Sequence, residues 1–231
     1  AGSAINYERR DNILDNPVIQ VLELLARVIE AIAAGEFPRA NSLLSKLVAH
    51  PAFGFASQDI WQLSLRAWRN RQTWGEAMMA SPTFQPLTMW LIHMAWQAQY
   101  QPLEMVLDDL LGVPQPADSQ KAQAAIASAI TEYMTQQMAQ FDQPISLSAE
   151  ATPAIPTISY RSPLYDYYFS RERLAKQPDA YLACLEALRT LRSRTQEHGG
   201  DDETLRLVDM LDLLSLHRQF KTPITTIPPR T

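Results

Sequence analysis

The stretch from Asn16 to Gly35 constrains the fold most, because it carries the signals of one long amphipathic helix. Asn16 can cap a helix, and Pro17 suits the first helical position, where an N–H is not needed. Apolar residues then recur every three or four positions, at Val18, Leu22, Leu25, Ile29 and Ile32. This spacing predicts a helix that ends at Gly35 and places one face in a core.

The composition favours helices in the rest of the chain. Only 7 of the 231 residues are glycine, too few to supply the turns of a many-stranded β protein. A hydrophobic content of 46% and a charged content of 19% are ordinary for a soluble globular protein. We therefore predict an all-α, irregular multi-helix domain with a short strand at Ile5–Tyr7. The proline-containing segment Thr222–Thr231 is predicted to be extended where the chain leaves the helical domain, and we call it the exit.

Composition shifts divide the chain into six segments. Residues 1–4 are interpreted as a cloning remnant, and residues 5–16 as a strand and hinge. Residues 17–112 and 161–220 are predicted to form two helical groups. Between them, residues 113–160 are interpreted as an insertion with an Ala/Gln-rich helix and a proline-rich loop. Residues 221–231 form the predicted exit.

Several helix ends and apolar positions are predicted from local residues. Leu103–Leu111 is expected to be a helix that Gly112 stops. Ser57 is expected to cap the third helix, and Asp201 or Asp202 the last one. Five tryptophans at helical spacing are interpreted as core residues rather than as platforms for nucleic-acid bases, namely Trp61, Trp68, Trp74, Trp90 and Trp96.

Charge and cysteine content exclude several classes of protein. The net charge of −5 and the pI of 5.4 argue against a broad basic surface for nucleic acid, although a small local patch is compatible with them. Cys184 is the only cysteine, so an intrachain disulfide is excluded, and a cytoplasmic location is expected. No apolar run approaches the ~20 residues of a membrane span, so no membrane partner is expected.

Catalytic and metal-binding patterns are missing from the sequence. It contains neither a G-x-x-x-x-G-K-[ST] phosphate loop nor a G-x-G-x-x-G motif. The histidines are scattered, and the adjacent pairs Asp108–Asp109 and Asp201–Asp202 would diverge on a helix. Cys184 is interpreted as a buried thiol. We therefore predict no catalytic residue, no metal site and no bound cofactor in this chain.

Two junctions stand out from the helices. Tyr7, Glu8, Arg9 and Arg10 lie between the predicted strand and the first helix, where they could form a hinge or a plain turn. The segment from His50 to Ser57 places one glycine, Gly54, before a helix start. It could be only a turn between helices. Alternatively, its backbone N–H groups could contact a phosphate, which makes His50, Gly54 and Ser57 candidates for DNA contact.

The order of these elements resembles the 2B region, with the adjoining edge of the 2A domain, of UvrD/Rep/PcrA-like superfamily 1 DNA helicases. That family has a strand, a charged F/Y-[ED]-R-[KR]-E-type segment and a leucine-rich helix, which Tyr7-Glu8-Arg9-Arg10 and Val18–Ile32 match in order. The helices before and after a proline-containing turn follow at Leu43–Val48 and Ile60–Trp68. Two departures are that Phe53-Gly54-Phe55 replaces the family's G-I-G turn, and that residues 118–159 have no counterpart in short members.

The resemblance implies a parent enzyme that hydrolyses ATP with Mg²⁺ and unwinds duplex DNA in the 3′ to 5′ direction. This chain would be an excised accessory domain that is inactive alone, because it lacks the ATPase motifs. Its implied partners are DNA at a duplex/single-strand junction, the rest of the helicase chain, and proteins of DNA repair or recombination. Two alternatives are a free-standing helical protein-interaction module without a nucleic-acid role, and a helical enzyme of unrecognised type.

Overall fold

A computed structural model describes residues 11–114, 160–199 and 204–226, and in these residues the fold is all-α, as predicted. The chain forms two compact units. One comprises Ala1–Gly112 with Tyr160–Thr231, and the other is Val113–Ser159. Nearly all of the second unit lies outside the described residues. The predicted strand at Ile5–Tyr7 and the hinge candidates Tyr7, Glu8, Arg9 and Arg10 lie outside them too.

The described helices of the first unit are short to medium in length. Two short 3₁₀ turns, Ile13–Asp15 and Pro51–Phe53, precede α1 and α3. The α-helices are α1 Pro17–Ala33, α2 Phe37–Val48, α3 Ser57–Asn70, α4 Trp74–Met79, α5 Gln85–Tyr100, α6 Leu103–Leu111, α7 Leu164–Tyr168, α8 Arg171–Lys176, α9 Pro178–Gly199 and α10 Leu207–Gln219.

Helix α1 is the centre of the core. Asn16 caps it by accepting a hydrogen bond from the Val18 N–H at 3.0 Å, and the Asn16 amide also donates to the Ala183 carbonyl on α9. The helix packs against α2 and α5, and also against α9 and α10. Four of its five predicted apolar positions are buried and Ile32 is half-buried, and each fully buried aliphatic side chain stabilises the fold by about 1.5–3 kcal/mol.

Two predicted helix caps are wrong. Ser57 is the first residue of α3, and Ala56 precedes it without a side-chain hydrogen bond. Helix α10 begins at Leu207, so neither Asp201 nor Asp202 caps it, and both aspartates lie outside the described residues. Helix α10 starts later than predicted because the Leu205 carbonyl accepts the N–H of Leu103, the first residue of α6, at 2.7 Å. This carbonyl is therefore not available for a hydrogen bond within α10.

The interpretation of the tryptophans as core residues is wrong for two of them. Trp90 is buried, but Trp61 is 64% exposed and Trp68 is 78% exposed. Helix α3 packs mainly on α4 and buries only Leu63 and Ala67. The opposite face of this helix, which carries both tryptophans, is exposed.

The two ends of the described chain lie side by side. Asn12 and Thr225 form an isolated antiparallel bridge, and the Ile13 N–H donates to the Ile224 carbonyl at 2.9 Å. The Ile224 N–H in turn donates to the Asn12 side chain at 3.1 Å. We call residues 11–13 and 224–226 the paired ends. The segment from Thr222 to Thr226 is non-helical, as predicted for the exit.

The place where the chain leaves the first unit lies against the place where it returns. Gly112 ends α6 as predicted, with a left-handed φ of 73°. Its α-carbon lies so close to the Ser162 backbone that a side chain at residue 112 would overlap the Ser162 carbonyl oxygen. Glycine is therefore required there for two reasons, its φ and its close approach to another segment.

Candidate nucleic-acid interface

The turn between α2 and α3, residues 50–56, holds the first candidate site. Pro51–Phe53 form the 3₁₀ turn, and the Gly54 N–H closes it by donating to the Pro51 carbonyl at 3.1 Å. Gly54 is exposed, with a φ of 68°, and no atom lies within 4 Å of the position that a Cβ would take. The backbone around Gly54 is therefore open to a ligand.

His50 fixes this turn to the core. Its Nδ1 accepts the Ala52 N–H at 3.2 Å, which places the ring proton of neutral His50 on Nε2. Nε2 lies 3.4 Å from the Tyr168 hydroxyl, and that hydroxyl donates to the Pro17 carbonyl at 3.3 Å. Burial lowers the pKa of His50, which favours this neutral form. Both ring nitrogens thus face protein groups rather than solvent.

An aromatic cluster surrounds His50. The rings of Phe53, Tyr167 and Tyr168 lie within 6.4 Å of the imidazole, centroid to centroid. The Arg173 guanidinium lies 5.4 and 5.1 Å from the centroids of the two tyrosine rings. Burial, with a smaller contribution from the neighbouring Tyr167, raises the pKa of Tyr168 to about 12, so its hydroxyl remains a donor at neutral pH.

The start of α3 lies directly after the turn. Ser57 and Gln58 are exposed, and the N–H groups of Asp59 and Ile60 return to the Ala56 carbonyl at 2.9 and 3.2 Å. Because Ala56 supplies no side-chain cap, an external acceptor such as a phosphate oxygen could bind the first N–H groups of the helix. Of the three candidates, Gly54 and Ser57 therefore lie on the surface, while His50 supports the turn from within.

Helix α3 also presents a surface that the sequence reasoning missed. Trp61 and Trp68 are seven residues apart, so they share one side of the helix at a spacing of about 10 Å. Three exposed arginines lie on the same helix or at its end, and the chain has no acidic residue between Asp59 and Glu76. We call Trp61, Trp68, Arg69 and Arg71 the tryptophan–arginine face; Arg66 lies on another side of α3, about 140° around the helix from Trp61.

Among the described residues, the arginines of α3 and of its C-terminal end have no acidic partner. No salt bridge or hydrogen bond joins the guanidinium groups of Arg66, Arg69 and Arg71 to another residue of the described ranges. Elsewhere in the same ranges, Arg27, Arg39 and Arg218 each contact a carboxylate. The tryptophan–arginine face is therefore a local positive surface on an acidic chain.

An open cleft lies at the C-terminal end of this face. Its volume is about 840 Å³, and its lining combines indole rings, guanidinium groups and small polar side chains. The lining residues are Ser64, Ala67, Trp68, Arg69, Arg71, Gln72 and Trp74. A cleft of this size is large enough for a nucleobase or another flat group.

A capping box at the start of α4 positions Trp74, which lines the cleft. The Thr73 N–H and hydroxyl donate to the Glu76 carboxylate at 2.7 and 2.9 Å, and the Thr73 hydroxyl accepts the Glu76 N–H. The Asn41 side chain accepts the Gly75 N–H at 3.0 Å, which ties the start of α4 to α2. The hydrogen bonds from Thr73 lower the pKa of Glu76, so its charge is engaged in the cap.

A local signal could have identified this surface from the sequence. The run Trp68-Arg69-Asn70-Arg71 places charges next to an aromatic residue at the end of a helix. Arg71 has a left-handed φ of 54°, a conformation that glycine usually supplies at a helix end. The sequence therefore places an arginine, rather than a glycine, at the end of α3 beside the cleft.

The paired ends have their own polar anchor. Glu23 on α1 is buried, and its carboxylate accepts hydrogen bonds from Arg27 and Arg218 at 2.6 to 3.1 Å. Arg218 also donates to the Leu14 carbonyl, next to the paired ends. This cluster fixes α10 and the 3₁₀ turn before α1 to the same side of α1.

Other types of site find little support. No group of three or more His, Cys, Asp or Glu that could hold a metal occurs among residues 11–114, 160–199 and 204–226. Cys184 is buried, as predicted, and burial raises the pKa of its thiol. A helix long and apolar enough to cross a membrane is also absent from the part that the structure describes.

Comparison with known proteins assigns no family to the chain. No family model, no curated protein and no solved structure matches it. Function is therefore inferred from the geometry of the turn, the tryptophan–arginine face and the paired ends.

Proposed function

We propose that this chain is an accessory, 2B-like domain of a superfamily 1 DNA helicase, and that it contacts duplex DNA or partner proteins. The observation that carries this proposal is the antiparallel pairing of residues 11–13 with residues 224–226. A domain inserted into another domain must leave and re-enter it at neighbouring points, and the paired ends supply such points. The parent enzyme would bind ATP and Mg²⁺ and unwind duplex in the 3′ to 5′ direction.

The duplex contact in this proposal is the exposed backbone from Gly54 to Ser57. His50 and its aromatic neighbours hold the turn against the core, so the N–H groups at the start of α3 are presented in a fixed direction. An approaching phosphate would accept from these donors and benefit from the positive end of the helix. The interaction is a single phosphate contact, and we expect it to be weak and salt-dependent.

A proline substitution tests this contact without removing the helix. Ser57→Pro deletes the first N–H of α3 at a position where proline is well tolerated, and Ala56 has the extended conformation that precedes proline. We expect about fivefold weaker binding to a tailed duplex, measured by fluorescence anisotropy at low salt, because one hydrogen bond is worth roughly 1 kcal/mol. Ser57→Ala, which keeps the N–H, is the matched control.

Two results would contradict the duplex contact: no binding at low salt, or equal affinity of Ser57→Pro and Ser57→Ala. The larger proposal has a separate test. The purified chain is expected to show no ATP hydrolysis, and the native reading frame is expected to encode a phosphate loop upstream of residue 5. A native reading frame whose start and stop codons coincide with the two ends of this chain would exclude an inserted domain.

A further inference from the structure

The geometry points to a second binding site, in which the tryptophan–arginine face holds single-stranded nucleic acid. Bases would stack on Trp68 and Trp61, and phosphates would contact Arg69 and Arg71. This inference goes beyond the duplex contact at Ser57, and it requires neither a motor domain nor the paired ends.

The charge of the face selects an anionic ligand. Three guanidinium groups without a described acidic partner lie along one helix and its C-terminal end. The nearest acidic side chains in the sequence are Asp59, in the first turn of α3, and Glu76, which is held by Thr73. Guanidinium groups bind phosphate and carboxylate groups strongly, so charge alone leaves nucleic acids and acidic peptides as ligands.

The apolar part of the face distinguishes between these ligands. A docked peptide helix inserts aliphatic or aromatic anchors into a groove with apolar walls. Here the cleft lining contains no aliphatic residue larger than Ala67, and its large apolar residues are Trp68 and Trp74. Flat indole rings beside arginines are typical of sites where bases stack and the backbone follows positive charge. Single-stranded nucleic acid therefore fits better than a peptide.

The exposure of the tryptophans supports the same inference. An indole that is 78% exposed, as in Trp68, gains little from folding, so its position at the surface is not explained by core packing. Trp61 lies about two turns away on the same side, which provides a second platform along one strand. Ser64 and Gln72 add hydrogen-bonding groups beside the cleft without adding negative charge.

The test is binding of a fluorescently labelled oligothymidylate, followed by anisotropy at increasing salt. Trp68→Ala should weaken binding by roughly 5- to 150-fold, because stacking of one base is worth that factor. Tyr100→Ala removes an aromatic side chain that is similarly exposed on α5, and it should leave the affinity unchanged. Arg69→Gln should weaken binding more than Arg189→Gln, which removes one exposed charge from α9.

A further variant separates binding from folding. Arg71→Gly places glycine at the left-handed helix end, so the midpoint of thermal unfolding should be unchanged or higher. The same variant should bind more weakly, with the slope of log affinity against log salt reduced by about 0.7 per lost phosphate contact. A loss of affinity in a protein of undiminished stability cannot come from unfolding.

Three results would overturn the inference. The first is no binding of oligothymidylate at low salt, and the second is binding that Trp68→Ala and Arg71→Gly leave unchanged. The third is binding of a polyglutamate peptide, sensitive to Trp68→Ala, in the absence of oligothymidylate binding; this would identify an acidic-protein surface. Because Ser57→Pro acts at the first turn of α3, while the other variants act on its outer face and at its C-terminal end, the two contacts can fail independently.

Discussion

Helices α1 and α3 use the same types of residue in opposite ways. Helix α1 buries its aliphatic side chains against its neighbours and pairs its buried carboxylate with two arginines. Helix α3 buries only Leu63 and Ala67 and exposes two tryptophans, and its two arginines and the Arg71 that follows it have no described partner. The contrast separates a helix that holds the fold together from a helix whose outer face is available for binding.

The largest expected effect on stability comes from truncating a core side chain of α1, and truncation of an exposed side chain of α3 provides the comparison. Leu22→Ala removes a fully buried side chain on α1 and should lower the free energy of unfolding by about 3 kcal/mol. Trp68→Ala removes a larger side chain, but its effect should stay within about 0.5 kcal/mol because the indole is exposed. Urea denaturation of the two variants measures the difference. Similar losses in both would show that α3 belongs to the core.

The polar anchor of α1 should give the next largest effect. Glu23→Ala removes the carboxylate between Arg27 and Arg218, and the two guanidinium groups are then left close together. Since both arginines are partly exposed and can regain water, we expect a loss of about 2–3 kcal/mol rather than the full cost of a deeply buried charge. Chemical denaturation gives the value, with the exposed Glu186→Ala as the control. A loss equal to that of the control would mean that the cluster does not stabilise the paired ends.

The smallest effect concerns His50, which links the turn before α3 to the start of α1 through the Tyr168 hydroxyl. Burial lowers its pKa below the ordinary 6.5, so the unfolded chain binds more protons in the range just below that value. The contribution of His50 to stability is therefore complete above pH 6.5 and declines as the pH falls. His50→Asn keeps an acceptor for the Ala52 N–H but does not titrate.

The measurement is the free energy of unfolding between pH 5 and pH 7. The slope should be flatter in His50→Asn, by at most ~1.4 kcal/mol per pH unit, which corresponds to one proton. His93, whose pKa is also lowered by burial, contributes equally to both proteins. Identical slopes would show that protonation of His50 does not disturb the link between the turn and the core.

Much of this fold could be predicted from local signals. The bounds of α6 were predicted correctly, because Pro102 and Gly112 mark its ends in the sequence. The start of α1 follows equally from Asn16 and Pro17. In both cases the residues that decide the structure are next to the helix they delimit.

The predictions that failed concern features that depend on residues far apart in the chain. Periodicity shows that α3 has an apolar side, but not whether Trp61 and Trp68 have neighbours to cover them. The pairing of Glu23 with Arg218 spans nearly the whole chain, and the late start of α10 depends on a hydrogen bond between Leu103 and Leu205. For the candidate sites, sequence identified the exposed turn at Gly54, but it assigned the exposed tryptophans to the core.

The contact between Gly112 and Ser162 has a consequence for how this protein can change over evolution. Because the two points already touch in the first unit, the chain between them begins and ends at nearly the same place. Doubling the length of such a loop adds only about 0.6 kcal/mol to the entropy of closing it. The chain between these two points can therefore change in length at little cost, while a single methyl group on residue 112 would overlap the Ser162 carbonyl oxygen.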